Sequence, residues 1–247
     1  MSPNTDFTPQ VEAFLAQNKQ AARLIGIERT TFDGFADLAA TVLFAVARLD
    51  PVLTQNIYED TPDMAEISIH DITETARRNF EPGRGGATLL FARGVQAIIA
   101  HRVAHALWQH GDQMLALAVK SVAGRAFATD IHPAAKIGTG LWLDHGLGFV
   151  VGETCVIGND VSIWHNVTLG STLNDDSAQR HPTLQDGVVV GAGATILGNV
   201  TIGSNANIAA GAIVVQDVAA DTLVVGSKSR EIGPAQITFA AKTNPDK

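Results

Sequence analysis

From Ile131 to about Val218, aliphatic residues return at every sixth position. They stand at Ile131, Ile137 and Leu143 and, after a two-residue slip, at Val151, Ile157, Ile163 and Leu169. A polar stretch intervenes, and Leu184, Val190, Ile196, Ile202, Ile208 and Val214 resume the count. Four positions after the aliphatic, the later units carry small or β-branched residues, among them Cys155, Val161, Val167, Ala194, Val200, Ala206, Ala212 and Val218. A period of six is neither the 3.6 of a helix nor the 2 of an alternating strand. It is the spacing of a parallel β-helix, in which each unit forms one side of a coil and turns its aliphatic inward. A sandwich of short strands is the alternative, but it gives no reason for so many units in register.

Upstream, residues 1–129 follow helical spacing. Val11, Phe14, Leu15, Leu24 and Ile25 suit an amphipathic helix, and Phe35 to Leu49 predicts another, closed by Asp50-Pro51. Ile67 to Phe80 predicts a third, and Glu81 to Gly86 (EPGRGG) a break. Thr88 to His110 reads as one continuous helix capped by Gly111, followed by Gln113 to Phe127. The chain thus divides into a helical domain over 1–129, a β-helix over 130–220 with a loop at 172–183, and a tail over 221–247. The apolar faces of the helices must pack on the end of the β-helix or on a neighbouring subunit.

Composition narrows the function. A net charge of −8 without a basic stripe speaks against nucleic-acid binding. No apolar run approaches the ~20 residues of a membrane span. The N-terminus lacks the basic and apolar regions of a secretory signal, so a cytoplasmic location is expected. The single cysteine, Cys155, falls on a small buried position of the repeat and reads as structural. His101 and His105 have metal-ligand spacing, yet Arg102 lies between them and no acidic partner accompanies them; packing and hydrogen bonding are expected instead.

Chemistry is expected where the repeat breaks. After Leu143 come Asp144-His145-Gly146, at the two-residue slip. His145 can act as a general base near neutral pH if a neighbour fixes its tautomer, and Asp130 and Asp144 are the candidates. A coil of three sixes stacks residues eighteen apart, which places Asp130 on the rung next to His145. The second break, Thr172 to Thr183, carries Arg180-His181, a cation and a titratable ring suited to a carboxylate. A solvated surface loop is the alternative there.

These residues resemble the serine O-acetyltransferases. The stretch DIHPAAKIGTGLWLDHGLGFVVGETCVIGNDVSI (Asp130 to Ile163) is similar to the family's core motif, as are VTLG (Val167 to Gly170), RHP (Arg180 to Pro182) and GAGATILGNVTIG (Gly191 to Gly203). The helix LLFARGVQAIIAHRVAHALW (Leu89 to Trp108) is similar to its last N-terminal helices. The resemblance implies a helical domain before a left-handed parallel β-helix, and a homo-trimer or dimer of trimers. It also implies acetyl-CoA as co-substrate, in the cleft between neighbouring β-helices, with no metal. His145 would take the proton of the acceptor hydroxyl and Asp130 would orient it. Asp144 would meet the ammonium of serine, and Arg180 and His181 its carboxylate. Gly170, Ala192 and Ala210 match cofactor positions, the last two along the pantetheine arm. Lys228 and Arg230 stand where a basic residue approaches the CoA phosphates.

The departures fall near the acceptor. Where the family has Arg-Asp-Pro before those helices, ungapped alignment gives Asn79 and a two-residue gap gives Glu81-Pro82. His165-Asn166 replaces a Gln followed by a small residue, and Ser171 replaces a Gly. The tail ends Asn244-Pro245-Asp246-Lys247 rather than in the isoleucine of members that dock into cysteine synthase, so no such complex is expected through it. The same chemistry on another small hydroxylated amino acid or amino alcohol is the main alternative. A non-catalytic scaffold, and a metal hydratase using His145, His165 and His181, are the others.

Overall fold

The computed structural model describes residues 7–81, 84–172, 178–228 and 230–231. Eight helices come first: α1 (Phe7–Gln17), α2 (Lys19–Leu24), α3 (Gly34–Ala47), α4 (Pro51–Asp60), α5 (Met64–Arg78), α6 (Gly85–Phe91), α7 (Arg93–Gln109) and α8 (Gln113–Phe127). Two departures from the sequence reading have local causes. Asp50-Pro51 also starts a helix, α4: Asp50 caps it by accepting from Leu53 N at 2.8 Å, and Pro51 takes a first-turn position where its missing N–H costs nothing. The helix expected over Thr88–His110 is broken at Ala92, which adopts φ −85, ψ 104. Gln96, buried at 6% exposure, compensates the break by donating to the Leu89 and Leu90 carbonyls at 3.2 and 2.9 Å.

The strands stack into three parallel sheets, the faces of a prism. The first face is β1 (Asp130–Ile131), β4 (Val150–Val151), β7 (Thr168–Gly170), β10 (Thr195–Leu197) and β13 (Ile213–Val214). The second is β2 (Lys136–Ile137), β5 (Val156–Ile157), β8 (Thr183–Leu184) and β11 (Thr201–Ile202). The third is β3 (Trp142–Leu143), β6 (Ser162–Ile163), β9 (Val189–Val190), β12 (Asn207–Ile208) and β14 (Leu223–Val224). The chain visits the faces in turn and climbs one rung per coil. Every sixth-position aliphatic is buried except Ile137, which is half-buried, so the hexad is the core of the prism. Cys155 is 1% exposed, and burial pushes its thiol up to about 12, an unreactive packing residue. Strand β14 carries the coil beyond the boundary expected at 220, and the polar excursion ends before Thr183, which opens β8.

Buried polar contacts fix the helical domain to the first coil. Asp71 of α5, 1% exposed, accepts from Gly140 N at 2.7 Å and Leu141 N at 3.3 Å, and from Arg102 Nε of α7 at 2.8 Å. Arg102 also donates to the Ile137 and Gly138 carbonyls at 3.1 and 2.7 Å. At the end of α5, Arg78 reaches Val161 O at 3.1 Å and Asp160 at 3.1 Å. The two domains share one continuous apolar core.

Candidate active site

The registers place His145 at the head of a column. Leu143, Ile163, Val190, Ile208 and Val224 are paired in sequence up the third face. Two residues beyond each comes the turn into the first face, so His145, His165, Ala192, Ala210 and Gly226 stack along one edge of the prism. Backbone bonds lock the turns together: Asn166 N to Leu147 O at 2.7 Å, Gly193 N to His165 O at 3.0 Å, and Gly211 N to Ala192 O at 2.9 Å. The N–H groups of Ala192 and Ala210 donate to no acceptor among the described residues. Beside them runs an apolar groove of about 390 Å³, lined by Trp164, Val189, Ala192, Ala210 and Leu223 among others.

His145 has φ 62, in the left-handed region, and the extra residues of this coil are spent on the turn it opens. The coil from Asp130 to Val150 takes twenty residues instead of eighteen, so Asp130 pairs with Val150 and not with His145. Within the chain, Asp130 Oδ1 lies 2.6 Å from Lys120 Nζ, while Asp144 Oδ2 is the carboxylate beside His145, 3.3 Å from its Nε2. The backbone register thus sets Asp130 opposite Val150, and among the described residues its ion pair is with Lys120.

His145 and Asp144 face a cavity of about 380 Å³ at the junction of the domains. Its other wall is made by Thr75, Asn79, Phe91, Ala92, Arg93 and Gly94, from α5, α6 and α7. Asn79 therefore lines the cavity. Glu81 is absent from its lining and pairs with Arg84 at 3.4 Å, while Pro82 lies outside the described residues. The Trp142 indole N–H donates to Asn79 Oδ1 at 3.1 Å, which turns the Asn79 amide NH₂ away from the indole. Arg93 and Gly94 escaped the sequence reading because the break at Ala92, which presents them, is a tertiary effect. Their one signal was a Gly after Arg inside a long helical pattern.

Arg180 and His181 belong to a different edge, between the first and second faces. His181, 7% exposed, sits over the turn after β4: its backbone N–H and that of Arg180 both donate to Thr154 Oγ1 at 3.1 Å. A Cβ on Gly152 would lie 1.9 Å from the His181 ring, so the ring requires glycine there. Arg180 forms an ion pair with Glu153, and that hydrogen bond holds the Glu153 carboxyl below the usual range. Gly170, at the end of β7, also lies on this edge and not in the column of Ala192 and Ala210. Lys228 and Arg230 are exposed beyond β14. Leu173 to Ser177 and the final tail, on which the loop and docking expectations fall, lie outside the described residues.

His105 Nδ1 meets the Pro133 carbonyl at 2.7 Å and His101 is 5% exposed, so both are packing residues of the domain junction. Among the described residues, no three His, Cys, Asp or Glu are grouped to hold a metal ion, and no helix is long and apolar enough to cross a membrane.

Known proteins share this arrangement. Residues 181–216 match the family model described as bacterial transferase hexapeptide (six repeats). The chain is 49% identical over 160 residues to a putative serine acetyltransferase of Schizosaccharomyces pombe, covering 65% of this chain and 59% of that protein. It is 41% identical over 196 residues to serine acetyltransferase of Salmonella typhimurium, covering 79% of this chain and 71% of that one. Several relatives, the Schizosaccharomyces pombe protein among them, are matched over less than two thirds of their length. Among solved structures, soybean serine acetyltransferase complexed with serine superposes with a TM-score of 0.81 at 37% identity, over 90% of this chain and 96% of that one. The Brucella abortus serine acetyltransferase in complex with coenzyme A gives 0.77 at 33% identity, over 94% and 97%. A helical domain followed by a left-handed parallel β-helix is the architecture they have in common. By sequence over most of a full relative and by fold over nearly its whole length, the chain belongs to the serine acetyltransferase family.

Proposed function

We propose that the protein transfers the acetyl group of acetyl-CoA to the hydroxyl of L-serine, giving O-acetylserine for cysteine biosynthesis. The observation that carries this reading is the placement of His145, at once at the head of the Ala192–Ala210 column and on the wall of the domain-junction cavity. The uncommitted N–H groups and apolar floor of the column fit the amides and alkyl links of a pantetheine arm. The cavity has room for a small amino acid. His145 removes the hydroxyl proton as the oxygen attacks the thioester, and Asp144 is the carboxylate at hand to steady the imidazolium that forms. Asp130 takes that part if Lys120 releases it.

Arg180, His181 and Gly170 join the site from a neighbouring copy. On one chain they are separated from His145 by the first face, so a three-fold assembly that seats one edge against the next completes the set. Outward-pointing Val150 and Ile213 on the first face and Leu223 on the third are exposed apolar residues suited to that contact. Lys228 and Arg230 follow the column and meet the CoA phosphates. A dimer of such trimers, through the helical domains, is the larger assembly.

A second reading is favoured by Asn79. With its carbonyl engaged by Trp142, this side chain offers donors and no carboxylate to an ammonium, which leaves room for another small hydroxylated amino acid or amino alcohol. Acetyl-CoA consumption measured with serine, homoserine, threonine and ethanolamine decides between them. The highest kcat/KM with serine is expected, and no preference for serine would overturn the leading assignment.

A further inference from the structure

His165 stands one rung from His145 on the catalytic edge, with ring centroids 5.5 Å apart. On the column it lies between His145 and Ala192, and its chain neighbour Trp164 lines the apolar groove, so a chain laid along the groove toward His145 passes this rung. Most donors at this level are already committed. Trp164 N bonds Val190 O at 3.0 Å, Asn166 N bonds Leu147 O at 2.7 Å, and Gly193 N bonds the His165 carbonyl at 3.0 Å. Side chains of the column beyond His165 are alanine and glycine, with no donor to give.

The half-buried ring has one enclosed edge. Its Nδ1 is buried without a hydrogen-bond partner. An orphaned buried N–H is rarer in folded proteins than an under-satisfied acceptor, which favours the tautomer with the lone pair on Nδ1 and the proton on Nε2. That tautomer leaves the donor on Nε2, the ring nitrogen that is not enclosed.

We infer that His165 is a further catalytic residue, donating a hydrogen bond from Nε2 to the thioester carbonyl oxygen as charge develops on it. The inference rests on the acetyl-transfer reading above. The acceptor hydroxyl gives its proton to His145 and its oxygen bonds to the carbonyl carbon, while the carbonyl electron pair moves onto the oxygen that His165 contacts. The C=O bond then re-forms, the C–S bond breaks, and the departing thiolate takes the proton from His145. His165 keeps its proton throughout. A donor fixed before the reaction and aimed at the developing oxyanion is worth about 10²–10³ in kcat.

The test compares His165→Phe, His165→Ala and His165→Gln with the wild-type protein, measuring kcat and KM for acetyl-CoA at saturating acceptor and the Kd of CoA by calorimetry. Among the described residues the His165 ring makes no hydrogen bond, so apolar replacement leaves no new unpaired group and the fold should persist, checked by thermal melting. The expected result is a kcat lower by about 10²-fold in the Phe and Ala variants, with the Kd of CoA little changed and most of the rate retained by Gln, which still carries an N–H. A kcat within about twofold of wild type in either apolar variant, a rate loss matched by lost CoA binding, or a Gln variant as slow as Phe would each overturn the inference. Absence of acetyl-CoA turnover by the wild-type protein with any of the four acceptors overturns the reading itself. Turnover by the wild type with unaffected variants overturns only the role of His165.

Discussion

The Cα of Gly94, at the start of α7, lies so close to the Leu143 carbonyl that a Cβ on it would stand 1.9 Å from that oxygen. Leu143 immediately precedes Asp144 and His145, so this contact sets the height of the candidate catalytic turn against the helical domain. Gly94→Ala must push the two apart. Overpacking of this kind costs about 1–3 kcal/mol, and the expected outcome is a lower Tm together with a fall in kcat. Wild-type values for both would show that the contact does not position His145.

The Asp71–Arg102 pair predicts a distinctive stability pattern. Each partner is almost fully buried and also satisfies backbone groups of the first coil. Removing one leaves the other uncompensated, at a cost of about 3–5 kcal/mol. Asp71→Leu or Arg102→Met should therefore lower the urea midpoint strongly, and the double variant should recover part of the loss. A double variant as unstable as the sum of the singles would mean that the charges are not coupled.

For His145→Ala the expected change is a drop in kcat of about 10²–10⁴-fold, with melting temperature preserved, because the side chain is 63% exposed. Steady-state assay of acetyl-CoA consumption is the check. A variant that kept its turnover number would remove His145 as the base.

Asn79 and Glu81 separate cleanly by position. Asn79→Asp can still accept from Trp142 with one oxygen and offer the other, charged, to the cavity. It should lower the KM for an amino-acid acceptor by about tenfold, the worth of one charged hydrogen bond. Glu81→Gln should leave that KM unchanged, since Glu81 faces Arg84 outside the cavity. The reverse result would assign the acceptor contact to Glu81.

Acid should weaken the domain junction through His101. Burial, then the neighbouring His105 and Arg102, holds its imidazole well below the ordinary value of 6.5. The unfolded chain therefore binds a proton below pH 6.5 that the folded chain refuses, and stability falls as pH drops through that window. The slope attributable to one such site is at most about 1.4 kcal/mol per pH unit. Chemical denaturation between pH 7 and 5 should show a shallower loss in His101→Gln than in the wild-type protein; parallel curves would exclude His101 as the source.

The hexad positions determined the prism by themselves. A residue that must point inward once per side has only one periodicity open to it, and burial of the aliphatics followed from Ile131 to Val214, with Ile137 half-buried. The break in that rule at Asp144-His145 marked the candidate base for the same reason. What the sequence could not decide is who stands beside it. Two extra residues lengthened one coil and set Asp130 opposite Val150 with Lys120 beside it, and Arg180 and His181 fell on another edge because the edge is set by which face a loop returns to. Asn79, Arg93 and Gly94 reached the cavity through the packing of α5 and α7 on β3, after a helix break at Ala92 that carries no glycine or proline of its own. Period is a local property of the chain, whereas a cavity is bounded by residues that meet only after the helices have been docked by buried charges such as Asp71 and Arg102.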